Sequence, residues 1–247
     1  MKTAVAAPSL PLAEWSVEPV GDRCLIVRLG TQVDVATSRT VHAVTAALLA
    51  ADLPGVVDVV PAFTTLAVYF QPTAFSLKQG LPSAQLTRRI ETVLAAGVPP
   101  LTTEGRLVEV PACYGGELGP DLEDVARQSG ISPEEVIALH TAVPVTVYAF
   151  FFSPGNSFAG PLDARLAGVR RRPTPRVRVE AGSVAIANGI TSIYQTTSPG
   201  GWNILARTPW NMFDVKADPP TRVQLGDRMQ FRPIGIEEFH DTLEARP

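Results

Sequence analysis

Four loops rich in proline and glycine lie in the second half of this chain, and together they bring arginines, glycine pairs and a tryptophan suited to holding an anion. The first is FFSPGNSFAGPLD (151–163), where a run of aromatics stops at Pro154-Gly155 and is followed by Asn156 and Phe158. The second runs from Pro173 to Ser183 and carries Arg176, Arg178, Gly182 and Ser183. The third is Ser198-Pro199-Gly200-Gly201-Trp202, and the fourth contains Arg207-Thr208-Pro209. Glycine pairs allow close backbone approach and can turn N–H groups toward an anion. Guanidinium forks match carboxylates and phosphates, and Trp202 offers an apolar wall with one donor. His140, near the end of a helical stretch, is a candidate general acid/base or positioning group. Each feature also has a plainer reading. Gly-Gly before a strand makes a tight turn, Arg176 and Arg178 share one strand face that can simply be the wet one, and His140 can be structural or a helix-dipole partner.

Other chemistries lack their residues. The three histidines, His42, His140 and His240, are not paired at ligand spacing and there is no CxxC, so no metal site is expected. No G-x-S-x-G elbow and no phosphate-binding G-x-x-x-x-G-K-[ST] occurs. Net charge is −3 and the one basic block is Arg170-Arg171-Arg172, which argues against nucleic acid. Cys24 and Cys113 are distant in sequence, so a reduced, cytoplasmic protein is expected. The N-terminal stretch, broken by Pro8 and Pro11, fits neither a signal peptide nor a membrane span. With 247 residues, 45% of them hydrophobic and 18% charged, the chain can bury a sizeable core.

The elements that must position these loops fall into two grammars. Residues 15–103 alternate strands and helices: a strand over 24–29, a helix over 37–51 capped by Thr37 or Ser38, strands over 56–60 and 65–70, and a helix over 83–96. A strand beginning at Leu107 completes a β-α-β-β-α-β order, which predicts a small sheet with helices on one face in a split βαβ pattern. After a boundary near residues 100–106, Pro120 and the acidic residues after it open one helix, and Ser132 with Glu135 opens another as a capping box. That helix pair does not suit DNA, because the first helix is acidic and the second lacks a basic face. Short strands separated by turns then fill 104–236, at 145–152, 177–179, 183–187, 193–194, 202–206, 212–213 and 229–231, a spacing that predicts a closed or nearly closed β-barrel. Residues 1–14 and 237–247 are read as tails. The expected class is α+β, in two domains.

The stretches CYGGELGPDLEDVARQSGISPEEVIALHT (113–141), FFSPGNSFAGPLD, PTPRVRVEAGSVAIA and SPGGWNILARTP occur in an order that resembles the B subunit of bacterial 5-oxoprolinase. The same family includes a sporulation-kinase inhibitor, subunit 1 of proteins labelled allophanate hydrolase, and half of the carboxyltransferase domain of urea carboxylase. The resemblance spans roughly residues 15–235. It implies a small α/β domain followed by a cyclophilin-like barrel, and a homologous partner subunit of the allophanate hydrolase subunit 2 type. It also implies a further, lactam-hydrolysing A component and ATP-dependent opening of 5-oxoproline to glutamate, with ATP bound somewhere in the complex. The alternatives it leaves open are a non-catalytic inhibitor of a histidine kinase and a carboxyltransferase half served by a biotin carrier. Matched position by position, it marks His140, Pro154, Gly155, Pro175, Arg176, Gly182, Ser183, Ser198 to Trp202, and Arg207 to Pro209 as lining the cleft. With Arg207 and Arg176, His140 is expected to carry chemistry; Asn156, Phe158 and Arg178 join the binding set.

The chain departs from the pattern F-x-P-G-F-x-Y-L-G-G-L-D at Asn156, Phe158, Ala159 and Pro161. Further departures fall at Glu180, Ala185, Asn188, Ile190, Ser192 and Gln195. The expectation is a reshaped ligand site on a preserved core.

Overall fold

A computed structural model of the chain describes residues 12, 14–101 and 104–245. It divides into two compact units between Glu104 and Gly105.

In the first unit a four-stranded sheet has the order β1 (Ser16–Val20), β2 (Cys24–Arg28), β4 (Thr65–Phe70), β3 (Val56–Pro61). β2 and β3 each pair antiparallel with β4, so they run parallel to one another with β4 between them. Helix α1 (Val35–Ala50) makes the crossover, which is the split βαβ unit. Alternation explains the packing. Leu25, Val27, Leu66, Val68 and Phe70 share one sheet face and are buried with Val44 and Leu48 of α1 and Leu86, Ile90 and Leu94 of α2 (Pro82–Ala95). Each such side chain contributes about 1.5–3 kcal/mol when fully buried.

Two details differ from the sequence reading. The cap of α1 is Asp34, whose Oδ1 accepts the Thr37 N–H at 2.7 Å, so Thr37 is a capped residue and not the cap. The sheet also gains β1, whose Pro19 and Glu18 mask a strand by composition; proline is tolerated there because β1 is an edge strand. The strand at Leu107 belongs to the second unit.

That unit begins with β5 (Leu107–Tyr114) and the helix pair α3 (Leu122–Ser129) and α4 (Pro133–Thr141). It continues with β6 (Val145–Phe150), β7 (Ser157–Gly160), the short α5 (Ala164–Ala167), β8 (Arg176–Val179) and β9 (Ser183–Ala187). Next come β10 (Ile190–Ile193), β11 (Ser198–Gly200), β12 (Asn203–Arg207), β13 (Arg228–Pro233) and α6 (Ile236–Glu244). Seven strands close a barrel in the order β10-β7-β6-β13-β5-β12-β9, with β9 returning to β10. β8 and β11 form a separate two-stranded ribbon.

Register decides which side chains enter the barrel. Ala159 pairs with Thr191 and Thr191 with Ile186, and Ala159 and Ile186 belong to the apolar core with Val110, Val184 and Phe231. The neighbouring row, Phe158, Ser192, Ala185 and Ile204, therefore points outward. Ala185 and Ile204 cluster there with Val179 of the ribbon, Tyr194 and Trp202. The barrel thus has a filled interior and a second, outer apolar layer beneath the ribbon.

Two strands lie hidden in stretches that read as loops. β7 is four residues long and buried at every position, so it shows no alternation; β11 is built from Ser-Pro-Gly. Met212-Phe213 makes no strand, only a bridge from Phe213 to Thr221. The stretch read as a C-terminal tail contains α6, held by Phe239 against Cys113 and Ile234. Ser132 does cap α4, accepting the Glu135 N–H at 3.2 Å, but the Glu135 carboxylate turns away to Arg165 at 2.6 Å. No helix among the described residues is long and apolar enough to cross a membrane.

Candidate functional site

The strongest electrostatic feature of the second unit centres on Asp121, the N-cap residue of α3, which is 1% exposed. Its two oxygens accept from Arg176 Nη1 at 2.8 Å, Arg176 Nη2 at 2.7 Å, Arg172 Nη1 at 2.6 Å and the Ile204 N–H at 2.7 Å. A buried carboxylate needs such a full set of donors. One carboxylate therefore ties the start of α3 to the ribbon strand β8, to β12 and to the segment before the ribbon. The Arg176 fork, expected to receive an anion from solution, is already filled by Asp121. The Asp121 carboxylate, in turn, raises the Arg176 pKa through these hydrogen bonds.

The glycine loop closes onto the same region. Arg172 N–H donates to the Gly201 carbonyl at 2.7 Å. A Cβ at Gly200 would lie 2.3 Å from the Tyr194 hydroxyl, so only glycine leaves room for the phenol. Tyr194 packs with Trp202 on the outer layer, and burial raises its pKa against the opposing pull of Arg171 and Arg176. Trp202 meets Phe158 edge-on at 5.4 Å. Gly200, Trp202 and Arg176 thus lie beside Tyr194, with Phe158 against Trp202 and Gly201 next to Pro175 and Arg171. Ser198 lies in β11 opposite Val179.

A second group forms around Gly182, whose φ is +85° and whose missing Cβ would sit 2.5 Å from the Thr208 carbonyl oxygen. The Thr208 N–H donates to Gly182 O at 2.9 Å, and Arg207 Nε donates to Ala181 O at 2.8 Å. Arg207 is half-buried beside buried Ser183, which lies opposite it in the β9–β12 register. Arg178 does not join either group: it is exposed and paired with Glu180 at 2.6 Å.

In the first loop Pro154 is exposed, whereas Gly155, Asn156 and Phe158 are buried. Gly155 has φ +78° and lies against Met212 O and Phe213 Cβ, each 2.9 Å from where its Cβ would be. Asn156 donates to Ser192 Oγ at 3.4 Å and accepts the Gln195 N–H at 3.4 Å. Gln195 in turn accepts the Met212 N–H and donates to Asn211 Oδ1, both at 2.9 Å.

His140 lies apart from these loops, 1% exposed. Its ring stacks 4.5 Å from Phe231 on β13, its Nδ1 meets Tyr114 Oη on β5 at 2.7 Å, and its Nε2 meets Thr191 Oγ1 on β10 at 3.1 Å. β10 is three strands from β5 in one direction and three from β13 in the other, so the imidazole braces opposite walls of the barrel. Thr191 donates its hydroxyl to Ala185 O at 3.1 Å and must therefore accept from His140. This fixes a proton on Nε2, leaves Nδ1 to accept from Tyr114, and makes the imidazole neutral. Burial drives its pKa down to about 3 and pushes the Tyr114 phenol up.

Sequence reasoning missed Asp121, Arg172, Tyr194 and Tyr114. The acidic run after Pro120 reads as a partner of the helix dipole, although one of its members faces inward. No group of three or more His, Cys, Asp or Glu side chains suited to a metal occurs among the described residues.

A filled seven-stranded barrel with an outer ribbon, following a split βαβ unit, defines a two-part α+β protein of the carboxyltransferase-domain kind. The chain belongs to the family described as carboxyltransferase domain, subdomain C and D, whose model matches residues 15–223. It is 36% identical over 230 residues to the 5-oxoprolinase B subunit of Bacillus subtilis (strain 168), covering 92% of this chain and 95% of that protein. It is 32% identical to the 5-oxoprolinase B subunit of Escherichia coli O157:H7, over 87% of this chain and 94% of that protein. Among solved structures, that of TTHA0988 superposes with a TM-score of 0.72 at 34% identity over 86% of this chain. This chain spans 40% of the length of that solved chain.

Proposed function

We propose that the chain is the B-type member of a 5-oxoprolinase-type complex, which opens the lactam of 5-oxoproline to glutamate at the expense of ATP. Two other polypeptides work with it there, one homologous to this chain and one that hydrolyses the lactam. The observation that carries this reading is the nearly end-to-end likeness to the 5-oxoprolinase B subunit of Bacillus subtilis, 95% of whose length is covered. The geometry agrees with it. Because the barrel interior is filled, the polar candidates stand on the outer surface, where a second polypeptide can complete a site.

In this reading the Arg207 guanidinium, steadied by its Nε bond to Ala181 O, meets a carboxylate or phosphate, and the Gly200-Gly201 backbone stabilises developing negative charge. Trp202 and Phe158 wall off water. Arg176 orients this surface through Asp121. His140, neutral and closed in, holds the strands that carry Thr191 and Tyr114 and does not exchange protons with substrate.

The test is genetic. A strain lacking the chain is expected to accumulate 5-oxoproline and to fail to grow on it as sole nitrogen source, with growth restored by the gene. Normal growth and unchanged 5-oxoproline would refute the reading.

A further inference from the structure

Phe152 is 96% exposed, the highest value of any large apolar side chain among the described residues. Its φ is +69°, a region that a bulky L-residue rarely occupies. Backbone strain of this kind persists only where the surroundings hold it, and here they do. Ser153 N–H donates to Phe151 O at 2.9 Å, Asn156 N–H to Ser153 O at 3.1 Å, and Phe151 N–H to Asn156 O at 3.3 Å. Gly155 is wedged against Met212 and Phe213, and the Asn156 side chain is anchored to β10. The loop is therefore a rigid mount that displays an aromatic ring to water.

The ring does not stand alone. Phe152 and Phe151 lie 5.9 and 5.6 Å from Phe158, which in turn touches Trp202. Phe151 is itself 37% exposed. Cations stand on both sides of this aromatic patch. On the Trp202 side, Arg171 Nη2 lies 3.7 Å from the Cβ position of Gly201. On the Met212 side, exposed Arg222 stacks 4.7 Å over Trp210. The nearby carboxylate of Asp214 is turned to the Lys216 N–H.

We propose that Phe152 is the anchor by which the second unit docks its companion polypeptide, into an apolar pocket rimmed by carboxylates on that companion. The proposal rests on reading the chain as one member of a complex. A second polypeptide is the favoured occupant because the 34%-identical solved chain is longer: this chain spans only 40% of it. The relatives covered nearly end to end are themselves named as B subunits, and a subunit works beside other polypeptides. A preorganised aromatic anchor with a cationic rim suits such a contact, since little side-chain entropy remains to be lost on docking.

Phe152→Gly separates docking from folding, because glycine accepts φ +69° without strain. Calorimetric titration of the companion polypeptide into wild-type chain, Phe152→Gly and Arg171→Glu is the experiment. Phe152→Gly is expected to unfold at the same or higher denaturant concentration, yet to bind about 30-fold or more weakly, the loss typical of a hot spot. Arg171→Glu is expected to weaken binding and to flatten its salt dependence. Equal affinity of wild type and Phe152→Gly would overturn the proposal while leaving the reading of the chain as part of a complex intact. Failure of the wild type to bind would remove that reading and this proposal with it. A wild-type dimer in sedimentation that Phe152→Gly dissolves would assign the patch to a second copy instead, and so overturn it.

Discussion

Asn156 and Ser192, two positions at which the sequence departs from the family pattern, are hydrogen-bonded to each other at 3.4 Å. A third departure, Gln195, donates its N–H to the same asparagine. These three departures form one connected polar group on the outside of the barrel wall. Asn156 is 6% exposed and fills its site, so restoring phenylalanine there alone overpacks it. Asn156→Phe is expected to cost about 1–3 kcal/mol. In the background Ser192→Gly the cost falls, because the space and the partner change together. Chemical denaturation of the two single variants and the double variant checks this; strict additivity would show that the positions are not coupled.

Asp121 holds two arginines and one backbone N–H while almost wholly excluded from water. Asp121→Asn keeps the shape and removes the charge, leaving Arg172 and Arg176 without their counter-ion. A loss of about 3–5 kcal/mol is expected, the usual consequence of breaking a buried pair from one side. The denaturation midpoint reads it. A variant as stable as wild type would reduce the cluster to a solvated ion pair.

The His140 prediction concerns acid. Its folded pKa of about 3 lies below the unfolded value near 6.5. The stability that comes from keeping it neutral is complete above about pH 6.5 and is lost as pH falls toward the folded value. Between pH 6.5 and 5, where carboxylates contribute least, stability is expected to fall by up to about 1.4 kcal/mol per pH unit. His140→Gln should lose that slope along with some stability at pH 7. An unchanged slope would mean that the imidazole is not held neutral.

Gly200→Ala is expected to destabilise the ribbon, since the new methyl would meet the Tyr194 ring at 2.7–2.8 Å and its hydroxyl at 2.3 Å. The φ of Gly200 is not in the left-handed region, so the cost is steric. In a Tyr194→Ala background the same change should be close to neutral. Thermal melting of the four proteins tests this, and an equal cost in both backgrounds would contradict it.

The regular elements of the first unit were legible because 3.6-residue and two-residue periods survive in α1, α2, β2 and β4. β7 was not, because a strand buried at every position has no polar half to alternate with. The loops were legible as a set. What was not legible was which polar groups the fold already satisfies. Arg176 in the sequence is an anion-binding fork; in the structure Asp121, 55 residues earlier, occupies it. His140 has the residue type of a catalyst but the surroundings of a brace, because its partners come from strands distant in sequence. Phe152 looks like the end of a strand until its backbone angle is known.

The most direct test is reconstitution with each polypeptide of the complex left out in turn. The complete set, incubated with 5-oxoproline and ATP, is predicted to release glutamate and ADP together, and omission of this chain is predicted to abolish glutamate release. Glutamate formed at the same rate without this chain, or none formed by a complete and assembled set, would contradict the account.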